Sequence, residues 1–147
     1  HRNFMGYTAS KTQLMIGLGI SAISDSWYGF AQNVKTIKEY EEVLSQDRIP
    51  VYRGHILSEE DLILRRHILN LMCQFHTSWE MPQLQFAEAE EVKMRLSEME
   101  KDRLIHLLPQ GIEVTDVGKP FVRNICMAFD LRLQRNVPTT RIFSMTI

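Results

Sequence analysis

Two cysteines, no long apolar run and no surplus of either charge set the first limits on this chain. Cys73 and Cys126 lie far apart, and with no secretory signal in view a disulfide is not expected. Such sparse cysteine fits a reducing cytoplasm. No apolar stretch reaches the length needed to cross a bilayer, so a membrane partner is not expected. Seventeen Lys and Arg stand against eighteen Asp and Glu, a formal net charge of −1. A dedicated nucleic-acid binder is usually basic, so that class is disfavoured. Histidines fall at positions 1, 55, 67, 76 and 106 without HxH or HExxH spacing, and no metal site is expected from them. Phosphate loops, nucleophile elbows, paired carboxylates, internal repeats and low-complexity stretches are all missing. The eight methionines are scattered and read as packing residues. The length accommodates one ordinary domain, or one small domain plus a piece of another.

What is present is concentrated in the first third. Leu14 to Ile20 is an apolar run interrupted by Gly17 and Gly19, which reads as a buried strand approached closely by a ligand or another backbone. Ser21, Ala22, Ile23 and Ser24 leave it, with Asp25, Ser26, Trp27 and Tyr28 in the turn behind. Strand ends of this kind carry the ligand loops of α/β barrels and open sheets. Val34 to Gln46 has apolar residues at helical spacing, with Asn33 as its expected N-cap and Pro50 closing the segment.

Beyond Val51 the sequence reads as a mainly α unit with one small β-hairpin. Ser58 and Asp61 make a capping box for a helix through Leu62, Ile63, Arg66, Leu69 and Met72. Thr77 to Gln85 reads as a loop around Pro82, and Ala87 to Arg103 as a second helix. Leu104 to Val114 is the hairpin, turning at Pro109-Gln110-Gly111. Thr115 is expected to cap a last helix over Val117 to Arg135, with Ile125, Phe129 and Leu133 on one face. Cys73 and Cys126 sit in apolar helical stretches as small hydrophobes. A hairpin flanked by helices resembles a winged helix. Asp102, Glu113 and Asp116 offset Arg103, His106 and Lys119 there, and the second helix is acidic, which favours a structural use over DNA reading.

Several words of the sequence also resemble one family in order. They are RNF-x-GYT at residues 2–8, GxGxSAIS at 17–24, AQN at 31–33 behind Tyr28, Arg53-Gly54, LSEEDLILRR, IEVTDVG and RNICM-x-FD. Together they resemble the late part of the oxygen-independent coproporphyrinogen III oxidases, radical S-adenosylmethionine enzymes of haem biosynthesis. The likeness runs from His1 to about Asp130. In one place the chain departs: Met5 stands where the family pattern has glutamine, and a thioether cannot donate a hydrogen bond as an amide does.

The resemblance implies that residues 1–50 are the last strand, loop and helix of a TIM-like α/β barrel. Residues 51–147 would then be a C-terminal helical, winged-helix-like domain covering the barrel mouth. It implies S-adenosylmethionine and a [4Fe-4S] cluster as cofactors, with a 5′-deoxyadenosyl radical attacking a propionate. Such a cluster needs closely spaced thiolates, which two distant cysteines cannot supply. The cluster ligands are therefore expected in an upstream barrel, and this chain is expected to be a C-terminal part, inactive alone and without catalytic residues of its own. By the same resemblance Ile23, with Met5, Ser21 and Ala22, contacts S-adenosylmethionine through apolar and backbone groups. Four propionates on the substrate call for arginine forks and flat walls. Arg2, Arg53, Arg65, Arg66, Arg123, Arg132, Arg135 and Arg141 are candidates, with Tyr7, Trp27, Tyr28 and Phe30 as walls. Arg2 and the aromatic turn lie closest in sequence to the strand end. Tyr28, Gln32 and Asn33 either meet the substrate or fix the loop. Two other classes stand beside this reading: a haem chaperone on the same scaffold, and a non-catalytic winged-helix interaction module.

Overall fold

The computed structural model describes residues 1–3 and 6–135. Met5 and Arg141, both named above, lie outside the described residues. The chain divides into two compact units, His1–Arg65 and the part from Arg66 onward. The division falls later than residue 50, inside a helix that belongs to both halves.

The first unit is an antiparallel meander. A short pair, β1 (Arg2–Asn3) and β2 (Gly6–Tyr7), forms one ribbon. β3 (Leu14–Met15), β4 (Ile23–Ser26), β5 (Gly29–Asn33) and β6 (Val51–Ile56) form a four-stranded sheet in that order. Its neighbours are all antiparallel. Trp27 and Tyr28 make the two-residue turn between β4 and β5, and α1 (Ile37–Ser45) fills the connection to β6.

Strand content is thus higher than a mainly helical chain with one hairpin would have. These strands are short and rich in Gly, Ser and Asn, so their alternation is weak in the sequence. The apolar run from Leu14 to Ile20 is not a buried strand. Only Leu14 and Met15 pair, and Leu14, Ile16, Leu18 and Ile20 are exposed, Leu18 by 84%. Gly19 and Ser21 take φ of 95° and 57°, and an extended strand cannot pass through two left-handed residues. The N-cap also shifts. Thr36 Oγ1 accepts from Glu39 N–H at 3.3 Å, while Asn33 ends β5.

The second unit follows the expected order with two changes. α2 (Glu59–Gln74) opens on the capping box, Asp61 Oδ2 accepting from Ser58 N–H at 2.9 Å and Ser58 Oγ accepting from Asp61 N–H at 3.2 Å. α3 (Ala89–Lys101) and the hairpin of β8 (Ile105–Leu108) and β9 (Gly111–Val114) come next. A third strand, β7 (His76–Ser78), stands where a loop was expected and pairs with β9. Phe75, at φ 61°, turns the chain out of α2 into that strand. The single last helix is broken into a 3₁₀ turn at Lys119–Phe121, then α4 (Val122–Met127) and α5 (Leu131–Arg135). Pro120 lacks the N–H a continuous helix needs at that point, and Asp130 Oδ1 accepts from Leu133 N–H at 2.9 Å to start α5 afresh. Thr115 does not cap a helix: its hydroxyl accepts from Gly118 N–H at 3.0 Å and closes the turn ahead of the 3₁₀ segment, whose own N-cap is Gly118. A side chain on Gly118 would collide with the Leu104 carbonyl.

This unit owns a continuous apolar core. Leu71, Val92, Leu96, Ile105, Ile112, Ile125, Phe129 and Leu131 are all buried, and Cys126 is among the core residues, in no disulfide. The first unit differs: among its described residues Leu64 is the one buried large apolar side chain, beside buried Asp25 and Asn33.

His67 is enclosed in the second unit's core. Its Nε2 lies 2.8 Å from the Leu84 carbonyl, so Nε2 carries the proton and donates, and Nδ1 accepts from the Thr77 hydroxyl at 2.8 Å. Thr77 Oγ1 in turn accepts from the Asn70 amide at 3.3 Å. Burial holds the imidazole pKa below its ordinary 6.5, opposed by the Leu84 carbonyl. The unfolded chain therefore takes up a proton first as pH falls. His67's contribution to stability is complete above about pH 6.5 and declines below it. Urea midpoints between pH 7.5 and 5 should fall more steeply for the natural chain than for His67→Gln. Parallel curves would remove His67 from the acid response.

Candidate functional site

The loop from Gly17 to Ser21 is folded onto the start of β4 by polar contacts. The Asn33 amide donates to the Gly17 carbonyl at 3.1 Å and to the Gly19 carbonyl at 2.8 Å. Tyr40 Oη accepts from Gly19 N–H at 3.0 Å, and Ser24 Oγ from Gly17 N–H at 3.1 Å. Backbone bonds close the same loop, Ser21 N–H to the Val34 carbonyl at 2.8 Å and Asn33 N–H to the Ala22 carbonyl at 2.9 Å. Gly17 is flush against Ile23: a Cβ there would stand 2.7 Å from the Ile23 carbonyl oxygen. Glycine is needed because backbone meets backbone.

The sheet brings further residues to this place. Ile23 faces Gln32 across β4 and β5, and Gln32 faces Arg53 across β5 and β6. Residues directly opposite in adjacent strands share one face, so Ile23, Gln32 and Arg53 form a single row. Gln32 Oε1 accepts from Arg53 Nε at 2.9 Å, and its Nε2 donates to the Ser21 carbonyl at 3.3 Å. In the adjoining row Asp25 faces Phe30, and Phe30 faces His55. There the Arg65 guanidinium meets Asp25 Oδ1 at 2.8 Å and donates to the Ser26 carbonyl at 3.0 Å. It also lies 5.0 Å from the centroids of both Trp27 and Phe30.

The residues expected at a site are thus sorted by position. Ser21, Ala22, Ile23, Gln32 and Asn33 come together around the glycine loop. Tyr28 is exposed in the β4–β5 turn. Arg2 lies on the separate β1–β2 ribbon, its guanidinium 5.8 Å from the Tyr7 ring. Asn33 is 5% exposed and its amide is engaged by two carbonyls, so its observed work is to hold the loop. Ser24 stands in the SAIS word and Tyr40 on the apolar face of the expected helix, yet neither has a site role in the sequence reading. Their hydroxyls reach the loop from β4 and α1, and nothing local marks those contacts because the partners are glycine N–H groups seven and twenty-one residues away.

Among the described residues no group of three His, Cys, Asp or Glu side chains could hold a metal ion. No helix among them is long and apolar enough to cross a membrane.

No family model matches the chain. Individual relatives do. An oxygen-independent coproporphyrinogen III oxidase of Salmonella typhimurium is 38% identical over 141 residues, covering 92% of this chain and 31% of that protein. One of Synechocystis is 36% identical over 157 residues, covering all of this chain and 33% of the relative. One of Helicobacter pylori is 31% identical over 138 residues. The solved structure of coproporphyrinogen III oxidase from Escherichia coli, a radical SAM enzyme, superposes with a TM-score of 0.83 at 36% identity. That match covers 90% of this chain and 32% of the other. The chain therefore spans about a third of the length of its relatives. Over nearly all of its own length, in sequence and in fold, the chain resembles one third of the oxygen-independent coproporphyrinogen III oxidases.

Proposed function

We propose that this chain is the C-terminal part of an enzyme that oxidatively decarboxylates two propionates of coproporphyrinogen III to vinyl groups, giving protoporphyrinogen IX. The observation that carries this reading is a likeness running along nearly the whole chain rather than through one motif. Cys73 and Cys126 do not suit a [4Fe-4S] cluster. They stand on different helices, and Cys126 is buried with its thiol 3.9 Å from the Ile68 carbonyl. The cluster belongs to an upstream barrel in the same cytoplasmic enzyme. Exposed Leu14, Ile16, Leu18 and Ile56 in a unit with little core of its own support such a neighbour, since apolar surface of this extent is normally covered.

S-adenosylmethionine supplies, when bound, hydrogen-atom abstraction from the propionate. Residues around the glycine loop suit its contact: Ile23 offers an apolar side chain, and Ser21 and Ala22 offer backbone. Asn33, Tyr40 and Ser24 keep that backbone in one shape before the ligand arrives, which spares the ordering cost on binding. In the second unit the order helix, strand, helix, hairpin supports a winged-helix reading with a covering role, and a cover excludes water from reactive intermediates.

The test is an anaerobic assay of the enzyme made from its entire reading frame, with reductant and S-adenosylmethionine. Coproporphyrinogen III should be converted, and this chain alone should give no product. Turnover by this chain alone would place the chemistry here and overturn the division of labour. Haem binding without conversion by the entire enzyme would favour a chaperone.

A further inference from the structure

We propose that Arg53 holds a carboxylate of the bound ligand beside Ile23. The proposal rests on the functional reading above and adds a residue to it. Arg53 shares a row with Ile23 and Gln32 through strand register, so it reaches the same face as the cofactor contact. Its Nε is given to Gln32 Oε1 at 2.9 Å. That bond leaves the end-on fork of Nη1 and Nη2, whose parallel N–H groups match the two oxygens of a carboxylate. Gln32 is itself fixed, because its amide donates to the Ser21 carbonyl. Arg53 is exposed on β6, so a ligand can reach it.

The other arginines of the first unit are placed differently. Arg65 is committed to Asp25 and to two backbone carbonyls. Arg48 donates to Gln46 Oε1 at 2.5 Å beyond α1. Arg2 lies on the β1–β2 ribbon. An exposed Arg–Gln contact taken alone would contribute little, because water competes for both partners. Here the contact continues through Gln32 to the left-handed Ser21 at the end of the glycine loop. It therefore links the guanidinium to the backbone read as the cofactor contact.

Two carboxylates could be the occupant, a substrate propionate or the amino-acid carboxylate of S-adenosylmethionine. Equilibrium binding of three probes to the entire enzyme separates them: coproporphyrin III, its tetramethyl ester and S-adenosylmethionine. R53Q should weaken one carboxylate probe on the order of ten- to a hundredfold, the size of a lost charge-assisted bond. R53K should recover part of that loss, and ester binding should be the same in all three proteins. Loss confined to coproporphyrin assigns the propionate; loss confined to S-adenosylmethionine assigns the amino acid. Equal loss for the ester means that Arg53 only supports the fold, and the proposal fails. Unchanged binding of both carboxylates also overturns it while leaving the functional reading standing. If the natural enzyme binds neither coproporphyrin nor S-adenosylmethionine, the functional reading falls and this proposal with it.

Discussion

Arg65→Ala is expected to destabilise the first unit by about 3–5 kcal/mol, the range for breaking a buried pair from one side. Asp25 is 7% exposed, so the substitution strands a carboxylate without its cation. The Ser26 carbonyl loses a donor, and Trp27 and Phe30 lose the guanidinium beside their rings. The pair itself is not what makes the unit stable, because desolvating both charges offsets much of their attraction. Removing both charges together, in Asp25→Asn with Arg65→Met, should therefore cost less than Arg65→Ala alone. Urea unfolding followed by Trp27 fluorescence in a Trp79→Phe background reads this unit. A loss below about 1 kcal/mol for Arg65→Ala would mean that water screens Asp25 as it does an ordinary surface pair.

Phe129→Ala should cost about 3–5 kcal/mol in the second unit. The Phe129 side chain is fully buried, with its ring stacked on His67 at 5.4 Å and tilted against Phe86 at 6.3 Å. Removing it leaves a cavity between α2 and the α4–α5 link that rigid neighbours cannot close. Against a typical total of about 5–15 kcal/mol, such a loss brings the unit close to unfolding. Trp79 fluorescence in a Trp27→Phe background reports it. Water entering the cavity should also bring the His67 pKa back toward 6.5, since burial is what lowers it. Histidine chemical shifts across a pH titration would show the change, and an unmoved His67 titration would mean that the surrounding side chains close over the gap.

Much of the second unit was legible because its decisive contacts are local. The Ser58–Asp61 box joins residues three apart, and so does the turn that Thr115 closes with Gly118, although it caps no helix. The hairpin turn and the spacing of Ile125 and Phe129 are equally short-range. The breaks between the last helices were missed because Pro120 and Asp130 act on a segment whose apolar spacing continues through them. In the first unit the local signals misled. Leu14 to Ile20 has the apolar content of a buried strand, yet Gly19 and Ser21 turn left-handed and its large side chains face solvent. Asn33 is a good N-cap by type, but two glycine carbonyls in the loop took its amide.

By itself the sequence determined α2, α3, the hairpin and the family likeness, because caps, turns and motif words lie within a few residues of one another. It also supplied Ile23, Gln32 and Asn33 as residues of interest. Tertiary structure alone decided what those residues do. Period-two alternation gives a side chain its face, but only the register of β4, β5 and β6 places Arg53 in line with Ile23. Whether Asn33 caps a helix or clasps a loop likewise depends on which acceptors the folded chain brings to it. Such long-range pairings are fixed when the strands meet, and no short window of sequence records them.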